Sequence, residues 1–172
     1  MRNVTSETIE NAVYELAAKA CLRLIPSCEA ALQRAAQAET EPRARFALET
    51  VLENAKIAEK EKMAVCQDTG YSVILAEIGQ DVHIEGKLLS DAVNDGVRRA
   101  YEDFRFRKSI CDPLTRENTA DNTPAALHTE IVAGDQISLT FLPKGFGSEN
   151  MSRMYMLTPA KGKAGILAAI VE

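Results

Sequence analysis

Apolar residues recur at helical spacing through the first sixty positions and cluster at strand-like density after them. Between residues 6 and 24, Ile9, Val13, Leu16, Ala17, Ala20 and Leu24 fall on one face of a 3.6-residue repeat. That spacing predicts a helix capped by Thr5 or Ser6, with Glu7 and Glu10 near its positive end. Pro26 interrupts the repeat, and Ser27 can cap a second, Ala-rich helix over 27–37. A third opens at Thr40, tolerates Pro42 in its first turn and places Leu48, Val51, Leu52, Ala55 and Ala58 on a buried stripe, with EKEK (59–62) as its solvated end. Residues 1–62 thus read as an all-helical lead-in.

The pattern changes at Met63. Residues 71–78 are β-prone and mostly apolar, a strand expected to be buried on both faces. IGQDVHIEG then reads as a strand end, a turn and a short extended piece. Ser90 can cap a helix over 91–104, with Ala92, Val93, Val97, Ala100, Tyr101 and Phe104 at helical spacing. DPLTRENTADNTP (112–124) is too polar and proline-bounded for a regular element, and so long a loop in a compact domain is functional or disordered. Strands are expected over 127–132 and 136–142, joined at Ala133-Gly134-Asp135, followed by a glycine-containing turn in PKGFGSENMS and a further strand over 154–157. AGILAAIVE (164–172) begins as an amphipathic helix and has no Gly, Asn or Pro to stop it. The predicted class is α+β: the N-terminal helices pack on a mixed β-sheet with motif-bearing loops, residues 63–172 forming the mixed part of one compact domain.

Composition narrows the function. The 172 residues are 46% apolar and 26% charged, the balance of a soluble globular protein. A net charge of −5, with no basic run beyond RFRK (105–108), argues against a nucleic-acid partner. No apolar run is long enough to span a membrane, and the N-terminus turns acidic where a secretory signal would turn apolar, so a cytoplasmic setting is expected. Cys21, Cys28, Cys66 and Cys111 form no CxxC pair and match no ferredoxin or zinc-ribbon spacing; disulfides are not expected in a reducing cytosol. Any metal held through Cys66 needs ligands from distant sequence or from another chain.

Reactive side chains concentrate in CQDTG (66–70), in RKSICDPLTRENTADNTPAALH (107–128) and in KGFGSEN (144–150). Alone, each has a plain reading. CQDTG fits a turn in which Asp68 bonds backbone amides and Gly70 supplies a positive φ. Asp-Thr-Gly is also the aspartic-protease tripeptide, but no second copy exists to share a proton. KGFGSEN lacks the residue order of a phosphate-binding loop. NTADNTP fits side chains bonding their own backbone. His83 and His128 read as satisfied structural histidines, and Cys21, Cys28 and Cys111 as small hydrophobes. Arg107 suits bidentate carboxylate binding as well as it suits a surface ion pair, and for Arg116 the ion pair is the better reading.

Together, in this order and at these separations, the strings CQDTG, IGQDVHIEG, DGVRRAY, RKS, DPL-R-NTADNTPA-H and KGFGSENMS resemble the N-terminal part of the class I, iron–sulfur-dependent fumarate hydratases and the related L(+)-tartrate dehydratase alpha subunit. The resemblance runs from about Ile9 to the last residue and is dense over 65–156. It implies a hydro-lyase with a [4Fe–4S] cluster on three cysteines, whose open iron acts as a Lewis acid on a dicarboxylate substrate. Carried over by motif, Cys66 corresponds to the first cluster ligand, Gln67 to a substrate hydrogen-bonding residue and Asp68 to substrate contact or proton handling. Arg107 corresponds to a substrate-carboxylate arginine and Gly147 to a glycine whose backbone approaches the substrate. Phe146 stands where the family more often has a third glycine. The other two cluster cysteines lie in a continuation absent from this sequence, and further substrate groups in a beta portion. An N-terminal fragment is therefore expected, folded but without a stable cluster or turnover alone. Malate/fumarate is the expected substrate pair, with tartrate as the alternative. The family also implies self-association. A non-catalytic assembly module is the reading from another class.

Overall fold

The computed structural model describes residues 1–172, leaving out the side chains of Ser148 and Glu149. At the N-terminus Thr5 ends strand β1 (Arg2–Thr5) and caps helix α1 (Ser6–Leu22), its Oγ1 accepting from Thr8 N at 3.2 Å. Of the expected stripe the helix buries Ile9, Val13 and Ala17 and half-buries Leu16 and Ala20; Cys21 joins the buried face, and Leu24 lies beyond the helix end. Helices α2 (Pro26–Ala38) and α3 (Pro42–Glu61) pack on each other, and Lys62 ends α3 in the left-handed region. Their caps are Ile25 and Glu41 rather than Ser27 and Thr40, because each proline takes a first-turn position that needs no amide hydrogen. Of the stripe expected on α3, Ala58 is buried and Leu48, Leu52 and Ala55 half-buried, whereas Val51 faces solvent.

Five further elements follow: β2 (Tyr71–Gly79), β3 (Val82–Glu85), α4 (Leu89–Asp103), β4 (Ala126–Val132) and β5 (Ile137–Lys144). A last helix, α5 (Gly162–Val171), follows a 3-10 turn at Gly147–Met151 and another at Pro159–Lys161. The α+β expectation is met. One sheet has the order β4-β2-β5, with β2 parallel to β4 and antiparallel to β5. A second, two-stranded sheet pairs β1 with β3 in parallel. The segment read as all-helical therefore also carries a strand; RNVT is too short to show a period, and its state comes from pairing with β3.

The strands expected to be joined at Ala133-Gly134-Asp135 are not neighbours, since β2 runs between them. The connection passes over the end of β2, where a Cβ on Gly79 would fall 2.4 Å from Gly134 O. Nor is β2 buried on both faces. Ser72, Ile74, Ala76 and Ile78 are buried, and Ile74 packs with Phe141 against α1 and α4, while Leu75 and Glu77 are exposed on the other side. A single helical layer covers the sheet in this chain. Residues 154–157 are not a strand, and α5 is apolar all round rather than amphipathic, with no buried residue. Met151, Met154, Met156, Ile170 and Val171 are accordingly exposed. Among the described residues no helix is long and apolar enough to cross a membrane.

The core is the sheet's inner face against α1 and α4, with Tyr101 and Val97 fully buried. The two helices approach closely at Gly96, where a Cβ would lie 2.6 Å from Glu10 O and 2.9 Å from Val13 Cβ. Arg99 closes the crossing, bonding Glu10 Oε1 at 2.8 Å and stacking over Tyr14. Gly96→Ala is expected to cost about 1–3 kcal/mol through overpacking. Urea unfolding should show a lower midpoint at an unchanged slope; an unshifted midpoint would refute the close crossing.

Candidate functional site

The three polar segments meet at one end of the three-stranded sheet, where β2 begins, β4 begins and β5 ends. Gly70 turns the chain into β2 with φ +63°, and a Cβ there would sit 2.0 Å from Lys144 O. Only glycine satisfies both demands. Across this contact Asp68 Oδ2 accepts from Phe146 N at 3.0 Å, joining CQDTG to KGFGSEN. The bond uses the backbone of Phe146, so it survives the replacement of glycine there, and the ring stacks on Tyr71 at 6.2 Å between centroids.

Two further bonds bring in the segment after α4. Thr69 Oγ1 donates to Arg107 O at 3.1 Å. Asn122, fully buried, accepts at Oδ1 from Ser109 N at 2.7 Å and Ile110 N at 3.3 Å, and its Nδ2 donates to Gly70 O at 3.1 Å. One carboxamide thus holds the strand mouth and the 109–110 backbone together. From the core side the Tyr101 hydroxyl donates to Thr69 O at 3.0 Å and accepts from Ser72 Oγ at 3.4 Å. Burial pushes that hydroxyl up to about 12.

The loop over 112–124 is stapled rather than disordered. Asp112 Oδ1 accepts from Leu114 N and Thr115 N, and the amides of Thr115 and Leu114 hold its carboxyl below the usual range. Asn118 Nδ2 bonds Lys108 O at 3.0 Å, and Arg98 links α4 to Asp121 at 2.9 Å.

Among the residues singled out from sequence, Asp68 is half-buried, while Cys66, Gln67 and Arg107 are exposed. The Cys66 thiol donates to Gln67 Oε1 at 3.5 Å. Gly147 heads the 3-10 turn with open space around its Cβ position, whereas a Cβ on Gly145 would lie 3.1 Å from Asp68 Oδ2. The close approach to the motif is therefore made by Gly145. Cys21 packs in the core as expected, but Cys28 is exposed and Cys111 only partly covered. His83 and His128 are exposed rather than satisfied in the interior, because His128 lies opposite Leu75 on the uncovered sheet face and His83 stands in the two-stranded pair. Arg116 forms no ion pair among the described residues, against the surface-pair reading. Sequence reading takes the NTADNTP residues only as scaffold around the site, without singling out Asn122 as its strut, and it misses Tyr101 as an organiser. Tyr101 carries only the signal of a core helix position, and Asn122 that of one turn-former among several.

Residues 10–172 match the family described as Fumarate hydratase (Fumerase). The chain belongs to that family. It is 32% identical over 172 residues to the "Putative L(+)-tartrate dehydratase subunit alpha" of Methanocaldococcus jannaschii, covering 95% of this chain and 60% of that protein. It is 33% identical over 132 residues to "Fumarate hydratase 2" of Leishmania major, covering 74% of this chain and 23% of that protein. With "Fumarate hydratase class I, anaerobic" of Escherichia coli it shares 32% identity over 120 residues, covering 65% and 22%. This Fumerase-family chain thus spans 60% of the first of these relatives and less than a quarter of the other two. The class I resemblance drawn from the motifs is met.

A [4Fe–4S] cluster on three thiolates does not fit the residues of this chain alone. No group of three or more His, Cys, Asp and Glu able to hold a metal occurs among the described residues, Cys21 is in the core, and only Cys66 stands at the motif.

Asn122→Ala should cost at least about 3 kcal/mol, since it strands two amides and a carbonyl at roughly 1–3 kcal/mol for each group left unsatisfied. Thermal unfolding measures it, and a loss under 1 kcal/mol would count against the strut, by the same scale. A second outcome concerns alkaline pH. Tyr101 is held neutral to about 12 against an ordinary 10.0, and burial likewise pushes the Cys21 thiol up to about 12 from 9.0. The folded chain therefore keeps protons that the unfolded chain loses, and stability, fully present below pH 9, falls as pH rises through 12. Denaturant midpoints between neutral pH and pH 11 should decline, and Cys21→Ala should delay the onset.

Proposed function

We propose that this chain is the N-terminal piece of the alpha-type part of a hydro-lyase that reversibly dehydrates a 2-hydroxy dicarboxylate, with malate/fumarate as the substrate pair. The observation that carries this is the convergence of CQDTG, Arg107 and KGFGSEN through Asp68, Thr69 and Asn122. Packing alone does not call for an exposed thiol, amide and guanidinium around a buried strut. In this reading the exposed Arg107 guanidinium takes one substrate carboxylate as a two-pronged donor. Gln67 bonds the substrate through its amide. Asp68, with Oδ2 committed to Phe146 N, offers Oδ1 for substrate contact or proton handling. Gly147 leaves room for the substrate against the turn backbone. Cys66 serves as one ligand of a cluster whose other thiolates come from outside this chain.

A beta subunit or C-terminal portion completes the site, and the assembly is a homo-oligomer. The exposed Met151, Met154, Met156, Ile170 and Val171 support such a partner, since apolar surface of this kind is covered in assemblies. Tartrate is the second reading, favoured by the tartrate dehydratase relative, which alone of the three named above aligns over more than half its own length. On the assembly-module reading, the exposed Cys66 and Gln67 beside Asp68 have no task.

Anaerobic co-expression of the chain with the remaining alpha portion and the beta partner, assayed on malate and tartrate in parallel, tests the proposal. Activity on one of them is expected, and inactivity on both would sink it. Arg107→Ala should lower kcat/KM roughly 10- to 100-fold, the worth of a charged hydrogen bond. Cys66→Ala should abolish both activity and cluster absorbance.

A further inference from the structure

A cleft of about 660 Å³ opens beside the Asp68–Phe146 contact, lined by Tyr71, Ser109, Cys111, Arg116, Phe146 and Asn150 among others. Its size suits a small ligand. Among the described lining residues Arg116 is the one charged side chain, in a chain whose net charge is −5. Arg98, Arg99, Lys87 and Lys108 each hold a carboxylate, whereas Arg116 holds none among the described residues. Its backbone is set in the left-handed region, φ +64°, with its N–H on Asp112 O at 2.9 Å. Such a conformation in a non-glycine residue persists where surrounding structure imposes it, and it clusters at ligand sites. Here the Asp112 turn and the Asn118–Lys108 staple impose it.

Two more features favour an anion. Tyr71, Ile110, Pro124 and Phe146 wall the cleft with apolar surface, which strengthens a charge interaction by excluding water. Ser109 Oγ, screened from solvent in the same wall, has no hydrogen-bond partner among the described residues, and a χ1 rotation lets its hydroxyl donate to a ligand oxygen.

We infer that Arg116, with Ser109 beside it, forms a carboxylate-binding subsite in this cleft. Resting on the proposed function, it takes the substrate carboxylate that Arg107 does not hold, so that two arginines select a dicarboxylate. Arg116 is a binding residue.

The probe is succinate, titrated into the isotope-labelled chain and followed by amide chemical shifts. Saturable shifts at Ser109, Ile110 and Arg116 are expected, weakened roughly 10-fold or more in Arg116→Gln, with Arg116→Lys between, because a point charge replaces the fork. The exposed Arg116 can be replaced without touching the core, and an unchanged shift pattern elsewhere verifies the fold. No saturable shift at these amides, or equal binding by Arg116→Gln, overturns the subsite. In the active assembly, Arg116→Gln should raise KM roughly 10-fold with little change in kcat, by the same loss of a charged contact; an unchanged KM overturns it as well. An assembly inactive on malate and tartrate whose chain still binds succinate at Arg116 defeats the hydro-lyase reading and leaves the subsite standing.

Discussion

The buried carboxamide of Asn122 decides how the polar segments are arranged. It has no water to bond, so its oxygen and nitrogen must find backbone partners at once. Its oxygen takes the amides of Ser109 and Ile110, and its nitrogen takes the Gly70 carbonyl. The segment bearing Arg107 is thereby placed against the strand mouth bearing Asp68. Tyr101 fixes the same turn from the core, so the motif is clamped between a helix and a loop. Each bond is ordinary, but together they leave the turn no alternative position.

The sheet explains why this clamp lies where it does. β2 is central, and its first residues are flanked by the start of β4 and the end of β5. Three chain segments must enter or leave the sheet there, and each carries one polar string. At the opposite end Gly79 passes so close to Gly134 O that it has no room for a Cβ. Helices α1 and α4 cover a single face, so the outer face and the segment around α5 stay open to further protein.

That openness bears on chemistry. The chain brings one exposed thiol, one half-committed carboxylate and two arginines with no ion pair among the described residues to one end of the fold. What it lacks for a three-thiolate cluster, the larger relatives have length to supply, since this chain covers 60% of one and 23% of another. On the proposed function, a site assembled from separate pieces accounts for reactive groups exposed beside a hydrogen-bonded scaffold.

Helices α1 to α4 and the strand character of β2 to β5 were legible in the sequence, because hydrophobic period and turn chemistry are local properties. The motif strings were legible too, since their residue types and order do not depend on folding, and the family followed from them. Pairing was not legible. β1 exists only through β3, β2 separates two strands adjacent in sequence, and the one-sided burial of β2 depends on how many helices lie over the sheet. Asn122 was hidden for the same reason: in sequence it is one Asn among several in a polar loop, and its role appears only when Gly70, 52 residues away, is brought to it. Local periodicity and motif chemistry are written along the chain, whereas which distant backbone group meets a buried side chain is decided by tertiary packing, because only burial removes water as the competing partner.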